Sequence, residues 1–147
     1  MVSKRVRAEP RSGGTLALDA PGLSLHVDGD GRLKALIAKA AEENARVAIS
    51  SVTPLEVRRA GEAAKRLAFL LSRIDVRPAT DDVIDLAAGL LDATDLSGRD
   101  CLVDALVVAT AGLCTQPVRL VTSDRSHIPK LCQAAAEAGH PVSPLFV

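Results

Sequence analysis

A chain of 147 residues is one domain by length, and it can bury about 68 to 70% of its unfolded surface, enough for a core of its own. Eighteen basic residues balance eighteen acidic ones, so no global field points to a nucleic-acid or membrane partner and any electrostatic function is local. With two Phe and neither Trp nor Tyr, binding that relies on stacking single-stranded bases is disfavoured.

Residues 1–14 are polar and basic through Lys4, Arg5, Arg7 and Arg11 and end in Gly13-Gly14. They predict a flexible basic tail, with the folded domain over 15–147. The apolar run that follows is broken by Asp19 and Pro21, which spoils a signal-peptide core, and no stretch has the length and apolarity of a membrane span. Thr15 to Asp19 predicts a short apolar strand ending in an acid. Pro21-Gly22 predicts a turn, and Gly29 and Gly31 mark a second loop. Leu33, Leu36, Ile37, Ala40 and Ala41 fall at helical spacing over 32–44, and 47–50 predicts a second buried strand.

Thr53, Pro54 and Glu56 have the pattern of a capping box, opening a helix that runs to Ile74 with a break at Gly61. Val76 centres a third strand, short and at an edge. Thr80 predicts an N-cap with Asp81 and Asp82 in the first turn of a helix whose apolar stripe is Val83, Leu86, Leu90 and Leu91; a loop follows over 92–99. Residues 100–114 predict an almost wholly apolar helix, 118–124 a buried strand, 128–138 a helix stopped by Gly139, and 142–147 a last strand interrupted by Pro144. Strands alternating with helices predict an α/β domain, a three-layer α/β/α sandwich around a mainly parallel sheet.

In such a sheet Asp19, Glu56, Asp104 and Asp124, with Asp100 as a fifth, stand at the rim where open α/β sheets bind ligands. Asp100 and Asp104 are four apart and share a helix face. Carboxylates gathered without a neighbouring cation raise one another's pKa, and a divalent metal reverses that preference. Hard oxygen ligands select Mg²⁺ or Mn²⁺ over zinc. Each acid also has an ordinary role: Glu56 in the capping box, Asp124 as an Asx-turn or helix cap, Asp19 as a turn former, Asp100 as a helix cap. Asp104 is the hardest to explain so, because an isolated carboxylate on an apolar helix is costly to bury. Cys101, Cys114 and Cys132 are odd in number and lack ligand spacing, which predicts buried structural thiols in a reducing cytoplasm. His127 reads as a surface residue.

Leu18-Asp19-Ala20, Leu55-Glu56-Val57-Arg58, the run from Asp104 to Ala111, and Leu120-Val121-Thr122-Ser123-Asp124 together resemble the PIN-domain nucleases, and within them the VapC-type toxins of toxin-antitoxin pairs. The resemblance spans 18–124, with its pieces in the family's order. It implies a strand order of 3-2-1-4-5. It also implies that Asp19, Glu56, Asp104 and Asp124 correspond to the family's acidic quartet, which binds Mg²⁺ or Mn²⁺ and cleaves RNA. Asp19, Asp104 and Asp124 would be the principal ligands, Glu56 a ligand or the group positioning the water, and Asp100 a further ligand candidate. Thr122, Ser123, Arg58 and Arg125 are candidates for contact with the substrate or a metal-bound water. The implied protein is a metal-dependent endoribonuclease of a type II toxin-antitoxin system, a homodimer without membrane attachment, its acidic groove occluded by a cognate antitoxin. Pro21 departs from the small residue or hydroxyl usual two places after the family's first Asp. That departure supports the alternative, a catalytically weakened PIN-like RNA- or protein-binding module.

Overall fold

Alternation along the strands divides the core in two. In β1 (Thr15–Leu18) Leu16 and Leu18 join one apolar cluster and Ala17 the other; in β2 (Arg46–Ser50) Ile49 and Ala48 divide the same way, and in β4 (Val118–Thr122) so do Val121 and Leu120. These strands are buried on both faces, as parallel strands covered by helices must be. With β3 (Asp75–Arg77) and β5 (Ser143–Phe146) they form one sheet in the order β3-β2-β1-β4-β5, every pairing parallel. The fold class and strand order are therefore as expected, with β3 at an edge.

The computed structural model describes residues 13–147. Residues 1–12, most of the expected tail, lie outside the described residues. Gly13 and Gly14 pair with the approach to β2: Gly13 N–H donates to Asn44 O at 3.1 Å, and Gly14 O accepts from Arg46 N–H at 3.0 Å.

On one face α1 (Ala20–Val27), α2 (Gly31–Glu42) and α4 (Gly61–Leu71) contribute Leu23, Val27, Leu33, Ala40 and Leu67 to the cluster over Leu16, Leu18, Ile49 and Val121. On the other, α5 (Asp81–Thr94), α6 (Gly98–Gly112) and α7 (His127–Glu137) cover Ala17, Ala48, Val118 and Leu120. Helix α6 is buried at every position from Ala105 to Gly112. A helix apolar all round belongs inside, and this one lies between the sheet and its helical neighbours. No helix among the described residues is long and apolar enough to cross a membrane.

Four local expectations are corrected. Pro21-Gly22 is not a turn but the first turn of α1, where proline's missing N–H would have had no helical partner and its fixed φ suits the helix. The capping box does not form. In the one-turn helix α3 (Thr53–Glu56) the N-cap is Val52, with no side-chain cap, and Thr53 is 0% exposed with its hydroxyl unpartnered. The helix breaks as expected near Gly61, where α4 begins with a φ of +60° that suits a residue without a Cβ, but it stops at Leu71 rather than Ile74. Helix α6 is capped by Ser97, whose Oγ accepts from Asp100 N–H at 3.4 Å, so Asp100 lies in the first turn rather than at the cap. The backbone also leaves helical geometry at Cys101, with φ −115° and ψ 16°. Asp100 and Asp104 are thus not stacked on one regular helix face.

Candidate acidic site

Parallel pairing places all the strands' carboxyl ends on one edge, and β1 and β4 are neighbours there. Asp19 directly follows β1 and is the N-cap of α1; its Oδ1 accepts from Gly22 N–H at 3.1 Å. Gly22 allows this close approach. A Cβ there would meet Val121 Cγ1 at 3.2 Å and Leu18 Cβ at 3.3 Å, tight against the two strands that carry the site. The pair Pro21-Gly22 is in this way what seats α1 over the sheet and aims its first turn at Asp19.

Asp19 is 6% exposed. Burial pushes its pKa up to about 6; hydrogen bonds from Thr122 and Gly22 oppose the rise, while the charges of Asp104 and Asp124 add to it. Thr122 is 0% exposed, and its Oγ1 accepts from Asp124 N–H at 3.0 Å. With its hydroxyl proton on Asp19, this one side chain joins the first and last acids of the cluster.

Asp124, two residues past β4, organises the start of α7. Its Oδ1 accepts from Ser126 N–H at 2.7 Å, Ser126 Oγ at 2.9 Å and His127 N–H at 3.2 Å, and its Oδ2 from Ile128 N–H at 3.4 Å. Partial burial raises its pKa, but these hydrogen bonds together outweigh it and hold the carboxyl below its usual value. Of the ordinary roles expected of Asp124 the Asx-turn is present, through Ser126 N–H, while the N-cap position of α7 is Ser126. Asp104 completes the group from α6: burial first and then the charge of Asp124 raise its pKa, while His127 lowers it.

Two residues with no expected role in the site, His127 and Cys101, belong here. His127 Nδ1 lies 3.5 Å from Asp104 Oδ2 and 4.0 Å from Asp124 Oδ2. Cys101 places its thiol with Asp104 and His127, their ligand atoms all within 4.8 Å of one another. The signal for His127 was its position three residues after Asp124, at the first residue of α7, where its backbone N–H donates to the Asp124 carboxylate. Cys114 and Cys132 are buried, as structural thiols were expected to be, and burial pushes the Cys132 thiol up to about 12.

The other candidates lie outside this cluster. Glu56 ends α3 beyond β2, is exposed, and no hydrogen bond or ion pair joins its carboxylate to another described residue. Arg58 and Ser123 are exposed. Arg125 is exposed with its guanidinium 4.2 Å above the Phe146 ring, a cation–π contact to β5. Asp100 is exposed, near enough for its charge to act on the Cys101 thiol.

Fold and site together define a PIN-like α/β/α sandwich with an acidic rim at the carboxyl ends of its two central strands. Among solved structures the chain is similar to VapBC2 from Rickettsia felis bound to a DNA fragment from their promoter, at 14% identity and a TM-score of 0.64, over 89% of this chain and 98% of that one. It is also similar to a toxin-antitoxin complex from Klebsiella pneumoniae, at 21% identity and a TM-score of 0.55, over 78% of this chain and 93% of that one. At these identities the likeness is one of fold. No protein-family model matches the chain, and no curated protein matches it in sequence.

Proposed function

We propose that this protein is a VapC-type PIN-domain toxin, an endoribonuclease that hydrolyses RNA phosphodiester bonds with Mg²⁺ or Mn²⁺. The observation that carries the reading is the convergence of Asp19, Asp104 and Asp124 on one edge of the sheet, close enough for the last two to raise the pKa of the first. Three carboxylates whose charges act on one another form a donor set suited to a hard divalent cation. Both structural relatives named above are toxin-antitoxin assemblies, which supports a cognate antitoxin as partner, and the homodimer is proposed with it. The proposed setting is a reducing cytoplasm.

Asp19, Asp104 and Asp124 would hold the ion, which when bound supplies Lewis acidity and an activated water. The chain's own groups do the positioning. Thr122 fixes Asp19 against Asp124, and the amides opening α7 keep Asp124 ionised and oriented. Glu56, with a free carboxylate on the rim, accepts a water proton or orients that water. Arg58 and Arg125 offer guanidinium groups to the RNA backbone, where phosphate contacts set register without reading sequence. Pro21, the feature that favoured a weakened module, sits in the first turn of α1 and leaves the Asp19 site intact.

Incubating the purified chain with mixed RNA is the direct assay. Cleavage is expected with Mg²⁺ or Mn²⁺, none with a chelator, and double-stranded DNA should stay largely intact. Metal-independent cleavage that survives Asp19→Asn would contradict the reading. In the same assay Glu56→Gln should lose about 100-fold or more of the activity, about 2.7 kcal/mol of transition-state stabilisation. Because Glu56 completes no capping box, little change in melting should accompany that loss.

A further inference from the structure

Cys101, Asp104 and His127 are not a set that Mg²⁺ would choose. A thiol, an imidazole and a carboxylate offer sulfur, nitrogen and oxygen, the mixture that borderline transition metals take and hard cations do not. The three donors lie within 4.8 Å of one another. Donors on a tetrahedral Zn²⁺, at about 2.0 to 2.3 Å from the ion, stand roughly 3.3 to 3.6 Å apart. His127 Nδ1 and Asp104 Oδ2, at 3.5 Å, already have that separation. Asp124 Oδ2 lies 4.0 Å from the same nitrogen and accepts from Ile128 N–H, so it borders the three donors without joining them.

The three donors come from two helices, α6 and α7. Cys101 sits where α6 leaves helical geometry, 2% exposed, so its sulfur is shielded from bulk oxidants while facing the cluster. Asp104 follows one turn later on the same helix. His127 opens α7 with its backbone N–H donating to Asp124 Oδ1 at 3.2 Å, which fixes the main chain from which the imidazole projects. A nucleophilic Cys–His pair is the other chemistry these residues suggest, but burial and then the charges of Asp104, Asp100 and Asp124 all oppose a thiolate here. A divalent cation turns that environment favourable, because the carboxylates then share its charge.

We propose that Cys101, Asp104 and His127 form a binding site for a transition-metal ion of the Zn²⁺ class, sharing Asp104 with the acidic centre. A chain with this arrangement takes up Zn²⁺ or Co²⁺ on a thiolate, an imidazole and a carboxylate, releasing the thiol proton to solvent. Because Asp104 serves both sites, such an ion and Mg²⁺ exclude one another. That last consequence rests on the nuclease reading; the site itself does not.

The test titrates the metal-free full chain with Co²⁺ and follows its absorption. The expected result is one equivalent of Co²⁺ with a thiolate-to-cobalt charge-transfer band in the near ultraviolet, displaced by Zn²⁺. The band should vanish in Cys101→Ser and persist in Cys132→Ala, and His127→Gln should weaken Co²⁺ binding by at least about tenfold. Co²⁺ binding without the band, or a band surviving Cys101→Ser, overturns the proposal. If Cys101→Ser melts too low to assay, His127→Gln decides alone, and unchanged Co²⁺ affinity overturns it. The outcomes separate the two readings: a cobalt–thiolate band in a chain that never cleaves RNA keeps this site and removes the nuclease. Mn²⁺-dependent cleavage with no cobalt–thiolate band does the reverse.

Discussion

Asp104→Asn is expected to reduce metal-dependent RNA cleavage by at least about 100-fold, a loss of about 2.7 kcal/mol in transition-state stabilisation, while the protein stays folded. The expectation follows from where the side chain sits. Asp104 stands on α6 immediately before its fully buried stretch from Ala105 to Gly112, and its carboxylate acts on Asp19 while being acted on by Asp124 and His127. Asn keeps the volume and one acceptor oxygen but removes the charge a divalent cation needs. Removing that charge also relieves repulsion within the cluster, so metal-free melting should hold or rise. Cleavage in the Asn variant at the wild-type rate would place the chemistry elsewhere; unfolding would mean that Asp104 is structural.

The second large effect is on stability and its pH dependence. In metal-free protein Asp19→Asn should be stabilising at pH 8, by on the order of 3 kcal/mol, with the gain shrinking to nothing near pH 4. The sign follows from the raised pKa, about 6 in the folded chain against 3.8. Below 3.8 the acid is protonated in both states and costs nothing. Between 3.8 and 6 the folded state binds the proton better, so wild-type stability falls as pH rises through that window and then levels. Asp124 has the opposite sign. Its carboxyl is held below the usual value, so its contribution is present at neutral pH and lost on acidification. Urea melts of wild type and Asp19→Asn at several pH values read both the size and the window. A constant difference across pH would mean that Asp19 does not titrate in that range.

The sheet was legible because each strand carried its own pattern. Short β-branched and Leu-rich runs, separated by helical spacing, leave few arrangements other than a covered parallel sheet, and Val76 and Pro144 mark strands that lie at the edges. Asp19, Asp104 and Asp124 could be chosen because a parallel sheet gathers whatever follows its strands at one edge. The local starts of helices were less legible. Pro21-Gly22 fits a turn or a helix N-terminus equally well, and only the packing of Gly22 against Val121 decides. Thr53-Pro54-Leu55-Glu56 matches a capping box in letters, but the chain enters α3 one residue early and turns Thr53 inward. The meeting of Cys101, expected as a buried thiol, with His127, expected at the surface, was not legible for a different reason. Their meeting depends on a departure from helical geometry in α6 and on where α7 begins after Asp124, and neither is written in a spacing rule.

Titration of metal-free protein with Mn²⁺, followed by calorimetry and by thermal melting, tests the central claim most directly. A cation held by Asp19, Asp104 and Asp124 predicts a saturable heat of binding. It also predicts stabilisation of about 2.7 kcal/mol when Mn²⁺ reaches a hundredfold excess over its Kd, both largely lost in Asp104→Asn. No heat and no shift in Tm at millimolar Mn²⁺ would contradict it.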